Sequence, residues 1–177
     1  MSFIAVVLQN WPSMRTGFEE DSGNTYWFGA EKAYKLFLGK QLAVRIELWD
    51  DKSEFLTAEF DFLGFGDASE NFKMSLGKLM KGSAGDGKME LFSAPMAALD
   101  KDITNMSCIN DFASAWWYRS ETFASTDGCV TSILVPNSKV GLRWMTATRN
   151  HIVKVVMKAR YAFLSHGKCL SIKHTLF

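Results

Sequence analysis

Asp100-Lys101-Asp102-Ile103-Thr104-Asn105-Met106-Ser107-Cys108, followed eight residues later by Trp116-Trp117, is the stretch that decides how the rest of the chain is read. In an extended loop, residues two apart project to one side, so the carboxylates of Asp100 and Asp102 can converge while the carbonyls of Thr104 and Met106 continue the series. That donor set is all oxygen. A hard Ca²⁺ ion takes about six to eight oxygens and lets water fill places the protein leaves open. Zinc would ask for His or Cys instead. An isolated Asp-x-Asp is a common chance pattern, so its weight comes from what surrounds it.

Working outward, the segment Gly29 to Gly39 sets Ala30, Ala33, Tyr34 and Phe37 at helical spacing between two glycines, which predicts a short amphipathic helix. At Leu42 the period switches to two. Val44, Ile46 and Leu48 alternate with Arg45 and Glu47, Asp50-Asp51 supplies a turn, and Ala58, Phe60 and Phe62 alternate with Thr57, Glu59 and Asp61. This reads as a hairpin of half-buried antiparallel strands, and Phe72, Met74 and Leu76 extend the pattern. Gly77 to Gly87 breaks all periodicity and reads as a surface loop. Leu142 to Met145 and His151 to Met157 are β-prone, and the valine-rich second run suits a central strand.

Asp100-x-Asp102, Cys108 six residues after the second Asp, Ala115-Trp116-Trp117-Tyr118 and Asp127-Gly128 together resemble the calcium loop and Trp-Trp segment of the fibrinogen C-terminal, or fibrinogen-related, domains of ficolins, tachylectins and fibrinogen chains. Further landmarks follow in the family's order: Asn10-Trp11, Gly17-Phe18, Tyr26-Trp27-Phe28-Gly29 with Glu31-Lys32, Leu42 to Leu48, Ala84-Gly85-Asp86, Phe92-Ser93, and Gly141-Leu142 with Trp144. The resemblance implies an α+β fold: a twisted, mainly antiparallel sheet with short helices, then a loop-rich subdomain carrying calcium and a ligand pocket. It implies a domain over residues 1–160 without the family's opening strands, and a divergent tail over 161–177. On this reading the chain is either a fragment or a shortened member.

The resemblance also implies a function: a non-enzymatic recognition module of the extracellular or innate-immune kind, binding carbohydrate, acetylated or protein ligands with Ca²⁺ shaping the loop. Oligomers would form through regions outside this chain. The acetyl pocket of ficolin-like members falls on Phe112, on the Ser120–Glu121 bond, cis in the family and expected to be often trans here without the disulfide, and on Thr122, where the family has a His. Fibrinogen-like peptide pockets have an acidic residue near Lys139, so the charge there is reversed. In the family the cysteine matching Cys108 bonds one thirteen residues on, here Glu121, which leads us to expect Cys108 as a free thiol, with a bridge to Cys129 as the alternative. The alternative is a degenerate or truncated interaction domain that keeps the scaffold and has lost glycan binding.

Composition sets bounds of its own. The 177 residues are 47% hydrophobic and 14% aromatic, enough for one core and one domain. A net charge of +1 gives no reason to expect nucleic acid as the partner, and Lys154, Lys158, Arg160, Lys168 and Lys173 read as a solvated basic face. No run is long enough for a membrane span. Phe3 to Leu8 is too short for a signal-peptide core and has no preceding positive charge.

Gly82-Ser83-Ala84-Gly85-Asp86-Gly87-Lys88 is close to a phosphate-binding loop, but Met89 stands where a Mg²⁺-ligating Ser or Thr is required. No nucleophile, base and orienting group share a local signature, so an enzyme is not expected. The Trp pair reads as core before ligand groove. The Asn105-Met106-Ser107 sequon lies inside the loop, where a glycan would crowd the Met106 carbonyl.

Overall fold

A computed structural model describes residues 9–19, 26–104, 108–112, 114–120, 129–130, 132, 142–146, 151–162 and 174–175, with backbone alone at 111, 120, 129–130 and 174–175. In chain order the elements are α1 (Trp11–Thr16), β1 (Phe18–Glu19), β2 (Tyr26–Trp27), α2 (Ala30–Phe37), β3 (Leu42–Asp50), β4 (Phe55–Phe65), β5 (Met74–Leu76), β6 (Leu79–Lys81), β7 (Ser93–Ala94), β8 (Met96–Ala97), α3 (Cys108–Phe112), β9 (Trp116–Trp117), β10 (Arg119–Ser120), β11 (Cys129–Val130), β12 (Ile152–Tyr161) and β13 (His174–Thr175). The fold is α+β, as the resemblance implied.

One sheet dominates, in the order β13-β12-β3-β4-β5-β7 with β6 also on β4, and every pairing is antiparallel. Its inner face is built from Val44, Ile46 and Leu48 on β3, Ala58 and Phe60 on β4 and Met157 and Ala159 on β12, all buried. Against it lie the buried side chains of α2, Ala30, Ala33 and Phe37, with Tyr34 packed at the margin. Asn10 starts α1 by accepting the Ser13 N–H at 3.0 Å, a side-chain cap for an otherwise orphan donor. Gly17 ends it at φ +93°, back to back with Gly29. A Cβ on Gly17 would stand 2.6 Å from the Phe28 carbonyl oxygen, which only glycine avoids.

Three details depart from the strand pattern read in the sequence. Leu42 pairs Leu63 while Val44 pairs Phe60, so β4 carries one extra residue. That bulge turns Phe62 out to 41% exposure and Leu63 in to 1%, where strict alternation had put Phe62 inside. The Gly77–Gly87 segment holds the short strand β6 before it loops, and Ala84 is buried there. Within the tail, His174 and Thr175 pair with Ala159 and Lys158 at the sheet edge, so the backbone returns to the sheet.

The outer face carries charge that is not simply solvated. Arg45 bridges two nearly buried carboxylates, through Nε to Glu47 at 2.9 Å and Nη1 to Glu59 at 2.6 Å, while Lys158 holds the other Glu47 oxygen at 2.6 Å. Arg160 stands 3.9 Å from Glu59, and the Lys154 ammonium lies 4.7 Å from the centroid of the Trp49 ring. The basic residues of β12 are therefore internal partners of this face. Lys168 and Lys173 fall outside the described residues. Among the described residues no helix is long and apolar enough to cross a membrane.

Candidate calcium loop and ligand site

The loop begins where the chain leaves β8. Asp100 does not stand alone: its Oδ1 accepts the Trp11 N–H at 2.6 Å, and no hydrogen bond from the described residues reaches its other oxygen. Asp102 turns the chain by accepting both the Thr104 N–H at 2.9 Å and the Thr104 hydroxyl at 2.5 Å on one oxygen. Thr104 then accepts the Cys108 N–H at 3.1 Å on the same hydroxyl, tying the loop to the first residue of α3. Each carboxylate thus uses one oxygen for the fold and has a second without a described partner.

This donor set fits a hard cation, because two carboxylates and backbone carbonyls supply only oxygen. Asp100, Asp102 and the Thr104 carbonyl would hold it, with Met106 as the fourth expected ligand. Met106 lies outside the described residues, as does Asn105. Among the described residues no group of three or more His, Cys, Asp or Glu comes together.

Beyond α3 the aromatic floor is well defined. Phe112 is partly buried and stacks on Tyr118 with ring centroids 5.9 Å apart. The Tyr118 hydroxyl donates to the Ser114 carbonyl at 2.5 Å, and burial raises its pKa well above the usual phenol value. The Asp102 charge pushes the same way. Trp116 and Trp117 are buried, as expected of core: Trp116 Nε1 donates to the Ser132 carbonyl at 3.1 Å and Trp117 Nε1 to the Phe72 carbonyl at 2.9 Å. Ser120 is described by its backbone, and Glu121, Thr122 and Lys139 fall outside the described residues, with the Ser120–Glu121 bond.

The free-thiol expectation for Cys108 is overturned, because Cys108 is disulfide-bonded. The chain has two other cysteines, Cys129 and Cys169. The antiparallel pairing of β10 with β11 sets the Cys129 backbone directly across from Ser120, one residue from the position the family's partner cysteine occupies. That register predicts Cys129 as the partner. Peptide mapping after alkylation without reductant should recover a Cys108–Cys129 peptide, and reduction should cost about 3 kcal/mol for a loop of that length. Recovery of Cys108 alkylated, or joined to Cys169, would refute it.

The near phosphate loop is occupied by structure. The Gly87 N–H donates to Thr146 Oγ1 at 2.9 Å, its carbonyl accepts from Ser132, and the Ala84 carbonyl takes Trp144 Nε1 at 3.0 Å. The Gly87 N–H and the Gly87 and Ala84 carbonyls are thereby spent on the fold. Two contacts of the candidate loop escaped sequence reading. The Asp102–Thr104 turn has a local signal, since Asp commonly accepts from the backbone two residues on. Trp11 to Asp100 spans 89 positions and has none.

A family model for the C-terminal globular domain of fibrinogen beta and gamma chains matches residues 5–161. Among curated relatives, ryncolin-4 of Cerberus rynchops is 25% identical over 145 residues, 81% of this chain and 42% of its own length. Human ficolin-3 is 26% identical over 138 residues, 77% of this chain and 46% of its own. The chain thus spans less than half the length of either. Among solved structures, the fibrinogen-like globe domain of human ANGPTL2 superposes with TM-score 0.72 at 21% identity, covering 90% of this chain and 76% of that one. Lamprey fibrin D-dimer, complexed with the peptide Gly-His-Arg-Pro-amide, gives 0.67 at 18% identity over 95% of this chain and 62% of its own. The ordered landmarks, the antiparallel sheet with its flanking helices and the matched family model place this chain in the fibrinogen C-terminal globular domain family.

Proposed function

We propose that the chain is a non-enzymatic recognition module in which Ca²⁺, held by Asp100, Asp102, the Thr104 carbonyl and Met106, shapes a site for glycan or protein ligands in the extracellular space. The observation that supports it most is the pair of carboxylates, each with one oxygen committed to the fold and a second without a described partner. Phe112, partly exposed beside that loop on the Tyr118 ring, supplies an apolar face for a ligand. The disulfide at Cys108 agrees with an oxidising compartment.

A second reading, a domain that keeps the scaffold for protein contacts but has lost acetyl-sugar binding, is favoured by specific residues. Thr122 stands where ficolin-like pockets have His, Glu121 adds a carboxylate, and Lys139 reverses a charge. Each lost polar contact costs about 1–3 kcal/mol, enough to erase the small affinity of one acetyl group. NMR titration of the isolated chain with N-acetylglucosamine in calcium separates the two. The expected result is no saturation below about 1 mM. Tighter saturable binding, abolished in Phe112→Ala, would show a working sugar pocket and discard the second reading.

A further inference from the structure

The start of α1, with the residues just ahead of it, and the candidate calcium loop are joined at three points. The Leu99 N–H donates to the Gln9 carbonyl at 3.1 Å, the Trp11 N–H donates to Asp100 Oδ1 at 2.6 Å, and the Lys101 ammonium lies 3.8 Å from the centroid of the Trp11 ring. The ring is itself anchored on Phe72, with centroids 5.9 Å apart. Lys101 is the awkward member of the loop. It stands in sequence between the two candidate carboxylate ligands, and a flexible ammonium there can pair with either carboxylate and repel an incoming dication.

We propose that Trp11 is a positioning residue for the calcium loop: its ring parks the Lys101 ammonium away from the carboxylates, and its backbone N–H orients Asp100 for the ion. This rests on the calcium reading above. A cation over an indole face is attracted by the ring quadrupole, so Trp11 offers Lys101 an alternative to the neighbouring carboxylates. The hydrogen bond to one Asp100 oxygen fixes the carboxylate before the ion arrives, which lowers the ordering cost of binding. The positioning device therefore comes from the far end of the sequence.

A thermodynamic cycle tests it. Calcium affinity is measured by calorimetry on the wild type, Trp11→Leu, Lys101→Met and the double variant. Trp11→Leu keeps the backbone N–H but frees the ammonium, and should weaken Ca²⁺ about three- to tenfold, an amount set by a unit charge released near a dication and partly screened by salt. Lys101→Met should bind as tightly as the wild type or more tightly. In the double variant the loss should vanish, since no ammonium remains to be parked. An unchanged affinity in Trp11→Leu, or an equal loss in the double variant, overturns the proposal. Hydrogen exchange on the metal-free protein gives a readout independent of calcium: Asp100→Ala should speed exchange of the Trp11 amide and Asp102→Ala should not. Absent calcium heat in the wild type, with that exchange pattern intact, refutes the calcium reading and the ion-positioning role with it, and leaves only the docking contact. Equal Trp11 exchange in the two Asp variants refutes the docking contact itself.

Discussion

Replacing Trp117 with alanine should cost about 4 kcal/mol and lower the melting temperature by about 10 °C. The ring is the junction of the core: its centroid lies 5.7 Å from that of Trp27, 5.8 Å from Phe65 and 5.0 Å from Trp116. Its Nε1 also satisfies the Phe72 carbonyl at 2.9 Å, so truncation opens a cavity and strands a buried acceptor together. Trp49→Ala is the control. Trp49 packs on Phe55 at 5.0 Å between ring centroids on the outer face, half-buried, and its loss should cost about 1 kcal/mol. Urea denaturation of both variants decides it, and equal costs would mean that Trp117 is not a junction of the core.

Arg45→Met is the second large effect. Glu47 and Glu59 side chains are each only 9% exposed, and Arg45 hydrogen-bonds both. Removing the shared cation leaves two carboxylates close together with fewer partners, at about 2 kcal/mol once the partial exposure of Arg45 is discounted. A pH dependence follows. Burial pushes the Glu47 carboxyl up, but hydrogen bonds from Lys158 and Arg45 outweigh it and hold the group below its ordinary value of 4.5. A depressed carboxylate contributes stability that is complete above the unfolded value and is lost as pH falls through the folded one. The wild type should therefore lose stability on acidification below about pH 4.5, and Arg45→Met should lose less over that window. Denaturant midpoints between pH 3 and 7 measure this; parallel curves for the two proteins would contradict it.

These two sites also show where the sequence was legible. α2 and the inner faces of β3 and β4 followed directly from period, because a helix and a half-buried strand impose 3.6 and 2 on their apolar residues. Phe62 was misplaced because a bulge is a property of the pairing with β3, not of the strand itself. Glu47 looked solvent-facing because alternation gives the face and not what covers it; Arg45, Lys158 and the neighbouring strands cover it. The loop was visible as Asp100, Asp102 and Cys108 in the right order, yet its supports, Trp11 and Gln9, come from contacts that no local pattern encodes. Cys108 is the sharpest case. A match to the family at one position favoured a free thiol over a bridge to Cys129, while the pairing of β10 with β11 sets Cys129 across from Ser120.

Whether the loop is a calcium site is tested most directly by thermal melting with and without the ion. At about a hundredfold excess over its dissociation constant, Ca²⁺ should add about 2.7 kcal/mol to the wild type by mass action. The gain should vanish in Asp100→Ala and in Asp102→Ala, each compared with itself in chelator so that the lost Trp11 or Thr104 hydrogen bond cancels. A rise of several degrees at millimolar Ca²⁺ in the wild type alone is the predicted result; an unchanged wild-type melting temperature, or an equal rise in both Asp variants, would contradict it.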